Sequence, residues 1–108
     1  MLLLLICMFI LNIKSDEYDI VTLNLQGTKF ETTRQTLYRI PYFKSLSLDL
    51  DKSSIFYMDR SAHIFKHILA WSVDNRYPFP YKYRSEADFF NIDHKDIIFE
   101  DNCKNQYY

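Results

Sequence analysis

A single glycine constrains this chain more than any other residue does. Gly27 is the only glycine in 108 residues, whereas phosphate-binding loops and strained nucleophile turns need several glycines at fixed spacing. A Walker loop, a dinucleotide-binding fingerprint and a nucleophile elbow are therefore not expected. Gly27 also separates two short segments that alternate apolar and polar residues, so it predicts the tight turn of a β-hairpin.

Length and composition predict one folded domain. A chain of 108 residues buries roughly two-thirds of its unfolded surface, which is enough for one core. The hydrophobic content of 48% excludes an intrinsically disordered chain. A net charge of −1 argues against binding to nucleic acid or a membrane surface through bulk charge. The surplus of tyrosine and phenylalanine is typical of A/T-rich codon usage.

The two cysteines, Cys7 and Cys103, are too few for a disulfide framework. A reduced, cytoplasmic chain is therefore predicted. Cys7 lies in an apolar run and Cys103 lies near Glu100 and Asp101, and both settings disfavour a thiolate nucleophile. No pair of acidic residues has a context that suggests general acid–base work, so no catalytic residue and no cofactor are predicted.

The first thirteen residues are apolar except Asn12. They are fewer than the ~20 residues of a membrane-spanning helix, and they lack the basic start and small cleavage-site residues of a signal peptide. Three interpretations remain open: a signal or membrane anchor, an extension that packs on the domain or frays, and a true start at Met8. A polar break follows, so residues 1–18 are predicted to precede a domain that begins at Asp19.

Hydrophobic periodicity predicts the elements of this domain. Val21, Leu23 and Leu25 alternate with polar residues, as expected of a half-buried strand. Pro41 ends one helix and opens the next. Strands are predicted over Ile20–Leu25, Thr28–Thr32 and Ser54–Met58, and helices over Thr33–Arg39, from Pro41 onward, over Ala62–Val73 and over Ser85–Ile92.

The predicted helices also have predicted caps and core faces. Ser61 and Ser85 are the expected N-caps of the last two helices, and Thr33 or Thr36 caps the first. Phe43, Leu46 and Leu50 share one face of the Pro41 helix, Asp49–Ser53 forms a loop, and Ile97–Phe99 packs back on the domain. The core stripe of the longest helix is Ile64, Phe65, Ile68, Leu69 and Ser72, widened by Trp71 and Val73.

Two histidine arrangements are candidate metal sites. His63 and His67 lie four residues apart on the longest helix, so both can face one ion. A metalloprotease needs a glutamate directly after the first histidine, where Ile64 stands. His94 and Cys103 lack a second ligand pair. The prediction is therefore two histidines on a helix surface and no metal.

The segment from Arg76 to Arg84 interleaves aromatic rings with three positive charges. Stacking rings and phosphate contacts hold single-stranded nucleic acid in some proteins, so Tyr77–Arg84 carries a remote alternative function of that kind. The favoured interpretation is a connector that lays its rings on the core and keeps its charges in water.

Four blocks of sequence carry a family resemblance. They are DIVTLNLQGTKFETTRQTL at 19–37, FYMDR at 56–60, IFKHIL at 64–69 and EADFFNI at 86–92. In order and spacing they resemble the BTB/POZ domain of the potassium-channel tetramerisation type. The short chain and its composition are similar to the small BTB/POZ proteins of giant DNA viruses. The resemblance covers residues 19–92 and leaves residues 93–108 as a tail.

The chain departs from the family pattern at several points. Gln26 replaces the first glycine of the usual pair, and Ser61-Ala62 replaces the usual Asp-Pro. Only five residues separate Pro80 from Glu86, so a helix or turn there is expected to be shortened or lost. The zinc ligands of some family members are absent.

The resemblance implies an α+β fold: a small sheet, made of an N-terminal hairpin and a third strand, covered by a cluster of short helices. It implies a non-enzymatic interaction module that self-associates in rings of four or five, or as a dimer. It also implies a possible role as a cullin-type ubiquitin-ligase adaptor. The alternative is a standalone decoy that caps host BTB or cullin proteins.

The resemblance also implies candidate interface residues. Polar residues at the strand ends face neighbouring subunits in the family, which points to Arg34, Asp59 and Arg60. The alternative interpretation of these three is an ion pair or hydrogen bond within one chain.

Overall fold

The computed structural model describes residues 19–46 and 54–100. The segment 1–18, the loop predicted at Asp49–Ser53, the core position predicted for Leu50 and the tail from Asp101 lie outside the described residues. The domain boundaries at 18/19 and 92/93 stay predictions. The described elements are β1 (Ile20–Leu25), β2 (Thr28–Thr33), α1 (Arg34–Leu37), α2 (Pro41–Leu46), β3 (Ile55–Met58), α3 (Ala62–Val73) and α4 (Arg84–Phe89), with 3-10 turns at Tyr81–Tyr83 and His94–Asp96.

The predicted hairpin is present. β1 and β2 are antiparallel, and Leu25 pairs with Thr28 across a two-residue turn. Both turn residues have positive φ, 52° at Gln26 and 96° at Gly27, as in a type I′ turn, whose twist matches the flanking strands. The side-chain oxygen of Asn24 accepts a hydrogen bond from the Gly27 amide at 2.8 Å. The turn therefore forms although Gln26 occupies a left-handed position that asparagine, aspartate and glycine favour.

The third strand completes a mixed sheet in the order β2-β1-β3. β3 runs parallel to β1, so the chain must cross between them, and α1 and α2 lie in that connection. The two registers place Leu23 between Phe30 and Phe56. These three apolar side chains consequently share the face of the sheet that the helices cover.

An aromatic cluster joins the helices to the covered face of the sheet. Phe43 of α2, Phe65 of α3 and Phe90 after α4 are all fully buried. Their ring centroids lie 5.5 to 6.2 Å apart, the spacing at which aromatic pairs attract each other. The rings of α2, α3 and the residue after α4 thus form one shared core. The small mixed sheet and its short helices are the predicted α+β fold.

α3 matches its predicted bounds. The Ser61 hydroxyl accepts a hydrogen bond from the Ile64 amide at 3.3 Å, which caps the helix. Thr33 caps α1 in the same way, through the Thr36 amide. The core stripe of α3 is narrower than predicted, because Val73 is 60% exposed at the end of the helix.

The predicted Ser85–Ile92 helix is corrected in both its bounds and its cap. α4 begins at Arg84 and continues directly from the 3-10 turn Tyr81–Tyr83, so Ser85 lies inside it and does not cap it. Asn91 has a φ of 61°, which ends the helix before Ile92. Leu46, predicted on the buried face of α2, is 46% exposed.

Residues after α4 pack back on the core as predicted for Ile97–Phe99. Ile97 is buried. Phe99 forms a parallel bridge with Phe79, held by hydrogen bonds of 2.8 Å from the Phe79 amide to Ile98 and from the Glu100 amide to Phe79. Within residues 19–46 and 54–100, no helix has the length and apolar character needed to cross a membrane.

Candidate interaction surfaces

The first predicted interface residue, Arg34, lies where β2 passes into α1. Its guanidinium forms an ion pair with Asp19 at 3.2 Å and donates to the Tyr38 hydroxyl at 3.3 Å. Hydrogen bonds to Tyr38 and Asp19 raise the pKa of Arg34. The Arg34 amide also donates to the Asp19 carbonyl at 2.8 Å. Arg34 thus ties the start of β1 to the end of β2, with about a quarter of its side chain exposed.

Asp59 lies at the opposite end of the sheet, directly after β3. Its carboxylate accepts a hydrogen bond from the Gln26 side chain at 2.9 Å, and the Gln26 amide donates to the Met58 carbonyl at 3.2 Å. These two bonds hold the hairpin turn against the end of β3. An open groove of about 560 Å³ lies beside them, lined by Asn24, Gln26, Gly27, Tyr57, Met58 and Asp59.

Arg60 joins the end of β3 to α4. Its guanidinium bonds both carboxylate oxygens of Glu86, at 3.1 and 2.6 Å, and lies 3.8 Å from the centre of the Phe89 ring. Glu86 is buried, so it needs this cation. The hydrogen bond to Glu86 raises the pKa of Arg60. Arg60 therefore stabilises the fold by joining the end of β3 to α4.

The structure does not bring the three predicted residues together. Arg34 lies at one end of the sheet, and Asp59 and Arg60 lie at the other. Each has the hydrogen bond or ion pair within the chain that the alternative interpretation described. Their role at an interface stays a prediction.

The outer face of the sheet was not singled out from the sequence. Tyr57 is 70% exposed and Ile20 is 49% exposed, and by the strand alternation both lie on the face away from the helices. The alternation within β3 indicates that Tyr57 lies on the outer face, because Phe56 and Met58 pair with Leu23 and Leu25, which face the helices. Glu86 was missed as well, and its signal is an acidic residue directly beside the apolar Ala87.

The segment Arg76–Arg84 places its rings on the domain, as the favoured interpretation described. Phe79 is fully buried. Tyr77 and Tyr83 form hydrogen bonds to His67 and His63, at 2.5 and 3.0 Å respectively. The Arg84 guanidinium lies 4.1 Å from the centre of the Tyr81 ring. These rings make contacts within the chain, and the nucleic-acid alternative stays a prediction.

The same contacts bear on the histidine pair. His63 and His67 have ring centroids 6.0 Å apart, and each directs one ring nitrogen to a tyrosine hydroxyl. Across the two described stretches, no group of three or more His, Cys, Asp or Glu side chains is placed to hold a metal ion.

Comparison with known proteins adds one finding. A family model described as BTB/POZ domain matches residues 21–99. That range begins in β1 and ends at Phe99, so it takes in all of the elements above. Among curated proteins, none matches the chain.

The Arg60–Glu86 pair predicts a measurable coupling energy. In a double-mutant cycle with Arg60→Ala and Glu86→Ala, we expect about 1 kcal/mol of coupling in the free energy of unfolding, because Glu86 is buried while solvent partly screens Arg60. Urea titrations followed by Trp71 fluorescence measure it. The exposed Asp74–Arg76 pair is the control and should show no measurable coupling. Equal values for the two pairs would contradict the structural task of Arg60.

His67 predicts a pH-dependent stability. Burial, followed by the charges of Lys66 and His63, lowers the pKa of His67 below its ordinary value, whereas Glu100 opposes this and Lys82 adds to it. The folded chain therefore favours neutral His67. The contribution of neutral His67 to the free energy of unfolding is complete above pH ~6.5, the ordinary pKa of histidine. It is lost as the pH falls from there through the lowered pKa of the folded chain.

We expect the free energy of unfolding to fall between pH 7.5 and pH 5, and this loss to shrink in His67→Gln. His94→Gln keeps His67 in place and should keep the loss that His67 causes. Urea titrations across this range measure the effect, and an unchanged pH dependence in His67→Gln would refute the role of His67.

Proposed function

The chain belongs to the BTB/POZ domain family, of the potassium-channel tetramerisation type, and from this premise we propose that it is a non-enzymatic interaction module that assembles with further copies of itself. The family consists of domains for protein–protein interaction and oligomerisation rather than of enzymes. The family match over residues 21–99 is the single observation that carries the proposal. It spans the sheet and all the helices described.

The surface of the described residues supports self-association. The sheet leaves Tyr57 and Ile20 exposed at opposite ends of one face, and exposed apolar side chains on a sheet face can be buried against a second protein surface. The groove beside Asp59 adds a carboxylate and the Gln26 amide to this face. A second protein surface can therefore bury apolar area and meet polar groups at the same place.

The interface residues proposed are Arg34, Asp59 and Arg60. Because Arg34 and Asp59 lie at opposite ends of the sheet, one copy presents them to neighbours on two different sides. When two different surfaces of one copy each contact a neighbour, the copies can close into a ring of four or five. When one surface contacts the same surface of a second copy, the result is a dimer. The ring is the favoured assembly and the dimer its alternative.

The proposed module also binds a cullin scaffold, as adaptors of ubiquitin ligases do. Its proposed location is the cytoplasm. The alternative is a decoy that caps cullin or other BTB proteins. A pull-down with the tagged chain, read by mass spectrometry, is expected to recover a cullin. A ubiquitinated client in the same complex supports the adaptor, and a complex in which ubiquitin transfer is blocked supports the decoy. A purified chain that binds neither purified cullin nor another BTB protein would exclude both.

Self-association predicts a mass above that of the monomer. In size-exclusion chromatography with light scattering, the chain of 13.1 kDa is expected to elute as an oligomer whose share grows with concentration. Asp59→Arg is expected to weaken the oligomer at least roughly tenfold, because it places a charge of the wrong sign at the proposed contact. Lys95→Glu, at an exposed position away from the sheet, is the control. A monomer at every concentration would overturn the proposal.

A further inference from the structure

Strand β2 has a neighbour on one side only among the described residues. Two contacts show which residues of β2 form backbone hydrogen bonds with β1. They are the pair Leu25–Thr28, which flanks the turn, and the bond from the Arg34 amide to the Asp19 carbonyl. In an antiparallel ladder every second residue bonds to its neighbour. The backbone groups of Thr28, Phe30 and Thr32 therefore point toward β1, and those of Lys29 and Glu31 point toward the open edge.

The residues of β2 are self-complementary about Phe30. The sequence Thr28-Lys29-Phe30-Glu31-Thr32 has threonines at equal distances from the centre and opposite charges beside it. Lys29 and Glu31 are exposed, whereas Phe30 is partly buried against Phe65 at 5.1 Å between ring centroids. A strand with this pattern fits an antiparallel copy of itself.

The possible registers differ sharply in charge. Two β2 strands can form backbone hydrogen bonds with each other only where residues whose backbone groups point away from β1, such as Lys29 and Glu31, lie opposite residues of the same kind. A register centred on Phe30 sets Lys29 against Glu31. Registers centred on Lys29 or on Glu31 set like charges directly opposite each other, which destabilises a sheet. Charge therefore selects the register centred on Phe30.

We propose that two copies pair through β2 in this register, so that two three-stranded sheets join into one continuous sheet. This inference rests on the proposed self-association. Because the contact is self-complementary, by itself it builds the dimer, the alternative to the ring, and a ring would need a second contact. Lys29 of each copy exchanges both backbone bonds with Glu31 of the partner subunit, and the two side chains form an ion pair on the outer face. The two Phe30 rings meet on the helix-covered face, where they extend the core across the junction.

The antiparallel pairing also decides which ends of the two copies meet. The pairing itself is confined to β2, which ends at Thr33. Beyond it, the Arg34 end of one copy lies toward the end of the partner subunit that carries its hairpin turn. A lysine on an edge strand ordinarily discourages pairing, but here the partner's glutamate neutralises it.

A charge swap tests the pairing. Lys29→Glu and Glu31→Lys each place like charges opposite at both symmetric positions, and each is expected to raise the dissociation constant of the oligomer roughly tenfold or more. The double variant K29E/E31K restores opposite charges and is expected to return within about threefold of the original value. Circular dichroism confirms that each variant is folded. If the chain self-associates and both single variants do so equally well, the edge pairing is wrong and the proposed function stands.

Disulfide trapping tests the register itself. Thr28 and Thr32 of opposite copies form a pair without backbone bonds, at a Cα separation of ~4.5 Å that a disulfide accepts. In a C7S/C103S background, a mixture of the T28C and T32C chains is expected to cross-link under mild oxidation, and neither chain alone is. No cross-link from an oligomeric mixture overturns the edge pairing alone. A chain that stays monomeric and uncross-linked overturns self-association as well.

Discussion

The two-residue turn at Gln26 and Gly27 is the constraint on which the rest of the structure depends. A turn of this length and type fixes the pairing of β1 with β2 residue by residue. A slip of one residue would turn Val21, Leu23 and Leu25 away from the helices and toward water. The turn is also held against β3 through Gln26, so it sets the position of the third strand too. One local conformation thereby decides which face of the sheet is buried and which edge has no neighbour among the described residues.

The helices pack on the face of the sheet that the hairpin turn has fixed as the buried one. α2, α3 and the residue that follows α4 each bring one phenylalanine to the buried face, and these rings pack on one another. Short helices such as α1 and α2 have little stability of their own in water, so tertiary packing must hold them. Arg60 and Glu86 then join α4 to the end of β3 with an ion pair that only the folded chain can form. The outer face of the sheet receives no helix among the described residues, and it is the surface that a module of this family can offer to a partner.

Much of the fold could be predicted from the sequence, and the parts that could not have physical causes. The hairpin and α3 follow from local signals: alternation, a glycine at the turn and a serine cap. The start of α4 does not, because a 3-10 turn after Pro80 leads into it without a side-chain cap. The ion pairs of Arg34 and Arg60 join residues 15 and 26 positions apart. No local pattern specifies such partners, although the residue types made an ion pair an open alternative.

We propose that two copies meet at the edge of β2 that has no neighbour among the described residues. Amide hydrogen exchange at Lys29 and Glu31, followed by NMR at increasing protein concentration, tests it most directly. These amides point away from β1, whereas those of Thr28 and Phe30 lie within the hairpin. The account predicts that exchange at Lys29 and Glu31 slows as concentration rises, until it approaches that of Phe30. Exchange at Lys29 and Glu31 that stays fast at every concentration, while light scattering shows an oligomer, would contradict it.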